Sequence, residues 1–186
     1  MSPQKAGAPD ELESVRAFVN TLDLESGVDL LAGADDLEAW MSAHGLWSGG
    51  AADEASRRRA VRVREALREV LLANNDGHQP DPAAAPTLDD AAGRARLRLV
   101  MGPGGQASLE SEAAGVDGAL GRLLVSVYRA MENGTWARLK ACRNDRCRWA
   151  FYDHSKNHSG HWCDMAVCGN RSKVEAYRRR RSSAAR

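Results

Sequence analysis

The chain has 186 residues, of which 43% are hydrophobic, and its formal net charge is +1. This length can hold one ordinary domain and a small additional module. No run approaches the roughly 18 apolar residues that a membrane helix needs, and neither end resembles a targeting signal. We therefore expect a soluble protein.

The first part of the chain is predicted to be helical. After a flexible tail at residues 1–9, apolar residues recur at helical spacing from Asp10. A second helix is expected from about Asp35, with capping-box-like spacing to Glu38, and Gly45 ends it. A third is expected over residues 53–73. Its buried stripe consists of Ala60, Val63, Leu67, Val70 and Leu71.

The third helix is rich in arginine. Acidic residues at 54, 65 and 69 interleave with the cations. A solvated face with ion pairs between successive turns is therefore favoured over a nucleic-acid face. The arginines are Arg57, Arg58, Arg59, Arg62, Arg64 and Arg68.

After the third helix, the spacing of the apolar residues changes from helical to alternating. Residues 74–86 predict a loop, and alternation over residues 94–101 then predicts a half-buried strand. A turn at residues 102–105 leads to a partner strand that contains Ala107 and Leu109. A last helix begins near Val116 and ends at Gly134. These elements predict a mainly helical domain with one β-hairpin.

The four cysteines form two pairs with the same gap. Paired thiolates on two short loops supply the tetrahedral ligands of Zn²⁺, so we expect one zinc per chain at Cys142, Cys147, Cys163 and Cys168. A disulfide framework would suit a secreted chain, and the clustered thiols favour the cytoplasm instead. Three histidines between the pairs are alternative ligands: His154, His158 and His161.

The cysteine-containing segment is predicted to fold as a small unit. It has few large apolar side chains, so metal binding would have to stabilise it. A short strand over residues 148–153 is expected to pair with the segment before Cys142. A helix from Asn170 to about Arg181 is expected to turn Val174 and Tyr177 inward. The arrangement is similar to a treble-clef finger.

Charge is divided unevenly along the chain. From Trp136 onward there are 13 Lys and Arg against 4 Asp and Glu, a net +9, and the preceding residues carry −8. Such asymmetry indicates an anion-binding module on an acidic body. The candidate nucleic-acid-binding residues are Arg148, Lys156, Arg171, Lys173, Arg178 and Arg179.

The C-terminal motifs resemble the CGNR zinc finger. They are Cys142-x4-Cys147, residues 149–157 (Trp-Ala-Phe-Tyr-Asp-His-Ser-Lys-Asn), Trp162-Cys163 and the run Cys168-Gly-Asn-Arg171. The preceding part is similar to the ABATE domain at residues 18–21, 36–46 and 64–68. The resemblance implies an α+β protein: an ABATE-like domain at 10–134, a finger at 135–182 and a basic tail at 183–186.

The family resemblance implies a function in bacterial stress-induced transcription regulation. We expect a DNA-binding regulator whose N-terminal domain senses a small molecule or forms a homodimer. Asn20 and Thr21 are candidates for a pocket lining, with local hydrogen bonding as the alternative. A second hypothesis is a protein- or RNA-interaction module. An enzyme is not expected, because four cysteines leave zinc no open position.

Overall fold

The computed structural model describes residues 7–183, with the backbone alone for Asp10, Ser182 and Ser183. The first six residues of the predicted tail, and residues 184–186 of the basic tail, lie outside the described part. The helices are α1 (Asp10–Val19), α2 (Ala34–Ala43), α3 (Glu54–Asp76), α4 (Ala84–Arg94), α5 (Gly115–Glu132) and α6 (Asn170–Ser183). The strands are β1 (Leu97–Met101), β2 (Ala107–Ser111), β3 (Leu139–Ala141) and β4 (Ala150–Tyr152).

The predicted fold class is confirmed: a mainly helical body with a hairpin precedes a small four-cysteine unit. A 3₁₀ turn at Trp136–Arg138 joins α5 to β3, and a π-helical turn at Met165–Gly169 leads into α6. None of the helices in the described range is long and apolar enough to cross a membrane.

Local capping explains where two helices begin. In α3, Asp53 and Ser56 cap each other: the Ser56 amide donates to Asp53 Oδ1 at 2.7 Å and the Asp53 amide donates to Ser56 Oγ at 2.9 Å. In α2 the Gly33 amide donates to Asp36 Oδ2. The predicted capping role of Glu38 is wrong, since its carboxylate accepts from the amide of Ala52 instead.

Helix α4 was not predicted. The predicted loop covers residues 84–86 and the predicted strand begins at Arg94, with no element predicted between them, but residues 84–94 form three turns of helix. The buried positions of this helix are Ala84 and Ala91. Small side chains give a weak hydrophobic period, and Pro86 is tolerated in the first turn of a helix. The sequence pattern therefore did not predict this helix.

The predicted hairpin is confirmed, but its burial is not as expected. Strands β1 and β2 are antiparallel, with Leu99 opposite Leu109. Leu99 and Met101 are 63% and 64% exposed. The body contacts the hairpin mainly where β2 meets α5, so the other side of β1 stays in water.

Two arginines of α3 are buried rather than solvated. Arg64 is 1% exposed and Arg68 is 3% exposed. Arg64 donates to Asp29 Oδ1 at 2.7 Å and to Thr21 Oγ1 at 3.1 Å. Buried guanidinium groups need such partners. The prediction of a solvated face is therefore wrong for these two residues.

The helical body and the metal-binding segment share one hydrophobic core. Leu139 and Ala141 of β3 and Ala150 of β4 are 0% exposed and belong to the same cluster as Phe18 and Leu67 of the body. Strand β3 packs against α3, and β4 packs against α1. The finger is therefore attached through packed surfaces as well as through the chain between Gly134 and Trp136.

Candidate metal centre and basic helix

The four cysteine sulfurs converge on one point. All four lie within 4.8 Å of one another, and the Cys147–Cys163 and Cys163–Cys168 Sγ separations are 3.6 and 3.8 Å. A regular tetrahedron with Zn–S bonds of about 2.3 Å has sulfurs roughly 3.8 Å apart. All four cysteines are free thiols. The geometry and the donor set therefore fit a zinc ion.

Backbone hydrogen bonds hold the two cysteine loops. The Cys142 amide donates to the carbonyl of Trp149 at 2.9 Å, which extends the β3–β4 pairing, and the Cys147 amide donates to the Asn144 carbonyl at 2.8 Å. The second loop is capped by Asp164, which accepts from the amides of Ala166 and Val167. The thiol positions therefore follow from the hairpin and from this cap.

The electrostatics of the cluster call for a cation. Hydrogen bonds from the thiols of Cys147 and Cys163 lower the pKa of Cys142. The hydrogen bonds to Cys142 and Cys147, with burial, raise the pKa of Cys163. Desolvation by burial, and then the negative charge of Cys142, raise the pKa of Cys168. Four adjacent thiolates become favourable only when a divalent ion offsets their repulsion.

A buried ion pair supports the loop between the cysteine pairs. Lys140 and Asp153 are both about 3% exposed at their side chains, and Nζ lies 2.8 Å from Oδ2. Lys140 also donates to the carbonyl of His158 at 2.5 Å, and the Gly160 amide donates to Asp153 at 2.8 Å. Hydrogen bonds from Lys140, Ser155 and Gly160 outweigh burial and lower the pKa of Asp153. This pair fixes where the loop returns to Cys163.

The three histidines do not join the cluster. His161 Nδ1 lies 2.7 Å from Asn75 Oδ1, and His154 Nε2 lies 3.2 Å from the Gly7 carbonyl. His158 is exposed and contributes its backbone carbonyl to Lys140. The four cysteines alone form the ligand group among the described residues.

Asn20 and Thr21 are used in structural hydrogen bonds. Asn20 Nδ2 donates to the Ala150 carbonyl at 2.9 Å, and the Ala150 amide donates to Asn20 Oδ1 at 2.7 Å. Thr21 Oγ1 donates to the Phe18 carbonyl and accepts from Arg64. Asn20 joins α1 to β4 and Thr21 closes α1, and a pocket lining at these two residues stays a prediction. For Thr21 the alternative of local hydrogen bonding describes the structure.

Helix α3 also holds the backbone of the finger. Arg68 Nη1 donates to the Arg148 carbonyl at 3.0 Å. Asn75 Nδ2 donates to the carbonyls of Ala141 and His161 at 2.6 and 2.9 Å. Asn74 donates to two carbonyls in the segment 136–139. These residues were not predicted, although their 3-4 spacing from the apolar stripe of α3 could have indicated burial.

Helix α6 is an exposed, positively charged element. It carries six Lys and Arg against one Glu. The predicted inward packing of Val174 and Tyr177 is wrong, because they are 47% and 54% exposed. The helix packs mainly against the π-helical turn that precedes it. Most of its side chains are exposed.

The six candidate nucleic-acid residues divide into two groups. Arg148 pairs with Asp145 at 2.9 Å and with Glu69 at 3.6 Å. Arg171 Nη1 lies 2.6 Å from Glu25 Oε1 of the helical body. The other four lie on the 154–159 loop and on α6, and they are exposed, as Arg171 is: Lys156, Lys173, Arg178 and Arg179.

Two family models match the chain. The model of the CGNR zinc finger matches residues 138–181. The ABATE model, described as "Putative stress-induced transcription regulator", matches residues 14–132. No curated protein matches the chain. Because the ABATE model covers more than half of the sequence, the chain belongs to the ABATE family and carries a C-terminal CGNR zinc finger.

Proposed function

We propose that this protein is a zinc-dependent, DNA-binding transcription regulator that acts in the cytoplasm, where its four thiols stay reduced. The observation that carries the proposal is the position of α6. The helix starts directly after Cys168 and Gly169, and its Lys and Arg side chains are exposed from Arg171 to Arg181. A helix anchored at one end by a metal and covered with cations suits a polyanion.

The zinc would have a structural role. Four cysteine ligands complete its tetrahedron, so no position is open for a substrate or a catalytic water. The ion would fix the two loops and hence the start of α6. Cys142 and Cys168 are buried beside Phe151, with Trp162 packed against them, which limits access of water to the site. We therefore assign no catalytic activity to this centre.

The dimensions of α6 suit a DNA groove. Its 14 residues span about 21 Å, and the major groove of B-DNA admits an α-helix. Lys173 and Arg178 are exposed on opposite halves of the helix. Arginine can contact phosphates and can also bind guanine through two hydrogen bonds. The rigid attachment of the finger to the body would give the helix a fixed orientation on DNA.

A second candidate function is a protein- or RNA-interaction module. Exposed apolar side chains lie on α6 and on the π-helical turn before it: Met165, Val167, Val174 and Tyr177 are each at least 40% exposed. A protein partner would cover such a surface, and Tyr177 could stack on an unpaired base. This alternative predicts no preference for a particular duplex sequence.

Selection of DNA fragments from a random pool by the full zinc-loaded chain tests the proposal. We expect an enriched sequence that binds at least about a thousandfold more tightly than random duplex at the same salt concentration. Zinc removal by a chelator should abolish binding. Equal affinity for the enriched and random duplexes, or tighter binding of single-stranded RNA, would support the second candidate instead. The stoichiometry of the complex shows whether one or two copies bind.

A further inference from the structure

A cavity of about 460 Å³ lies between α3, α4 and α5. On the side of α4 its lining includes the small side chains of Ala83, Thr87 and Ala91, which leave room between the three helices. This volume falls within the usual range for small-molecule sites. The small side chains of α4 therefore leave this space open, and none of the four cysteines lines it.

The cavity combines an apolar floor with a cationic edge. Val63, Ala91 and Leu120 are buried apolar residues in its lining. Two arginines at the edge are already paired: Arg59 lies 3.2 Å from Asp117, and Arg94 lies 2.8 Å from Asp90.

Arg62 differs from the other two arginines. It lines the cavity and is exposed, and within residues 7–183 its side chain has no hydrogen bond or ion pair. The lining therefore holds three guanidinium groups and two carboxylates. One positive charge beside an apolar floor remains available to a ligand.

We propose that this cavity binds a small monoanion with an apolar body, of the class of short-chain or aromatic carboxylates. Arg62 pairs with the anionic group, since a guanidinium matches the geometry of a carboxylate. The apolar body contacts Val63, Ala91 and Leu120. A dianion is disfavoured because Asp90 and Asp117 line the same space, and a neutral ligand would gain no attraction from the charge of Arg62.

The location connects the site to the finger. Arg59, Arg62 and Val63 lie in the first half of α3, and Arg68, Asn74 and Asn75 of the same helix hold the backbone of the finger. Thirteen residues of helix separate Arg62 from Asn75, a distance of about 20 Å. A ligand that shifts α4 against α3 would therefore act on the helix that positions the finger. This regulatory meaning rests on the proposed function, whereas the binding itself does not.

Binding is tested with the full zinc-loaded chain in the absence of DNA. The fluorescent probe is 8-anilinonaphthalene-1-sulfonate, a monoanion with an aromatic body. The variant Arg62→Gln removes the available charge, and Thr87→Leu fills the cavity. Arg58→Gln is the matched control, because Arg58 lies on the same helix, is exposed and does not line the cavity. Hexanoate and hexan-1-ol serve as competitors that share an apolar body and differ in charge.

We expect one saturable site in the wild type and in Arg58→Gln. The affinity for the probe should fall about tenfold in Arg62→Gln, as for the loss of a hydrogen bond to a charged group. It should fall by a similar factor in Thr87→Leu, and the unfolding midpoint of that variant should be unchanged. Hexanoate should displace the probe at lower concentration than hexan-1-ol. The proposal is overturned if no saturable binding occurs, if both competitors act equally, or if Arg62→Gln and Thr87→Leu bind as the control does. Since no DNA is present, none of these outcomes depends on the role of α6.

Discussion

Asn20 makes two hydrogen bonds that join the first helix to the finger. Its amide pairs with both polar groups of the Ala150 backbone, and Ala150 is fully buried. Asn20→Ala would leave a buried amide and a buried carbonyl without partners, which costs about 1–3 kcal/mol for each group. We expect about 3 kcal/mol of destabilisation in urea unfolding of the zinc-loaded protein. A loss below about 0.5 kcal/mol would contradict this role.

A single cysteine substitution tests the assignment of the metal ligands. Cys163→Ser removes one ligand from a closed set of four, so the variant should lose most of its bound metal. Elemental analysis of the purified wild type should give one zinc per chain. The helical signal of the body should be largely retained in the variant, since most residues of the shared core, Phe18 and Leu67 among them, lie on the helices of the body. Full zinc occupancy in Cys163→Ser would show that the site is misassigned.

At the residue scale, the function of a residue can be predicted when it belongs to a spaced motif, but not when it is a single polar residue with a distant partner. The four cysteines could be grouped from sequence because their two equal gaps match the requirement of one metal ion. The role of Asn20 could not be predicted, because its partner Ala150 lies 130 residues away. Arg64 and Arg68 were assigned to solvent because acidic residues surround them in sequence. Arg64 lies four residues after Ala60 and Arg68 lies three residues before Leu71, and this helical spacing was the available signal that they are buried.

Among the elements, β3 and the loop after β4 depend on the Lys140–Asp153 pair. Lys140→Met would leave the Asp153 carboxylate buried without its cation, and such losses cost about 3–5 kcal/mol. The double variant Lys140→Met/Asp153→Asn removes both charges and should be less destabilised than the sum of the single variants by at least about 1 kcal/mol.

The thermodynamic cycle for this pair is measured at pH 7. Hydrogen bonds lower the folded-state pKa of Asp153, so its contribution is complete above the ordinary carboxyl pKa of about 4 and declines below it. Strict additivity of the two single variants at pH 7 would contradict a coupled pair.

Elements whose apolar residues recur with a clear period were predicted. Elements whose apolar residues are small or few were not. The alternation before Gly102 and the stripe of α5 predicted β1 and α5 correctly. Helix α4 was missed because alanines occupy its buried positions. In α6, Val174 and Tyr177 have helical spacing, but two side chains make too narrow an apolar face to hold the helix on the body. Trp162, by contrast, packs beside Cys142 and Phe151.

At the scale of the whole molecule, one ion pair joins the acidic body to the basic helix α6. Glu25 of the acidic body pairs with Arg171 of α6, and both side chains are about half exposed. DNA would compete with Glu25 for that cation. A surface pair of this kind contributes less than about 1 kcal/mol. Glu25→Gln should therefore raise DNA affinity up to about fivefold at low salt, and the gain should shrink toward 0.15 M salt.

The control for this contact is Glu11→Gln. Glu11 is an exposed carboxylate on α1 without an ion pair in the part of the chain that the structure describes, and its loss changes net charge by the same amount. Anisotropy titrations of one labelled duplex at two salt concentrations compare the variants. Equal gains for Glu11→Gln and Glu25→Gln would show that only net charge matters. The full chain is required, because an isolated finger would expose Leu139, Ala141 and Ala150.

The sequence predicted the order of body and finger, but not how they pack. The scarcity of apolar residues after Trp136 suggested a unit that depends on its metal alone. Leu139, Ala141 and Ala150 instead complete the core of the body, and polar side chains of α1 and α3 satisfy the finger backbone. Such long-range packing has no local signature, since short strands with one or two apolar residues are compatible with many environments.

The salt dependence of DNA binding by an α6 variant tests the central claim most directly. The double variant Lys173→Gln/Arg178→Gln removes two exposed cations from α6, and Arg58→Gln/Arg98→Gln removes two from the body. Each phosphate contact contributes about 0.9 to the slope of log affinity against log salt. We predict that the slope of the α6 variant is shallower than that of the wild type by about 1.8, with weaker binding, and that the body variant keeps the wild-type slope. Equal slopes and affinities for the wild type and the α6 variant would contradict DNA binding by this helix.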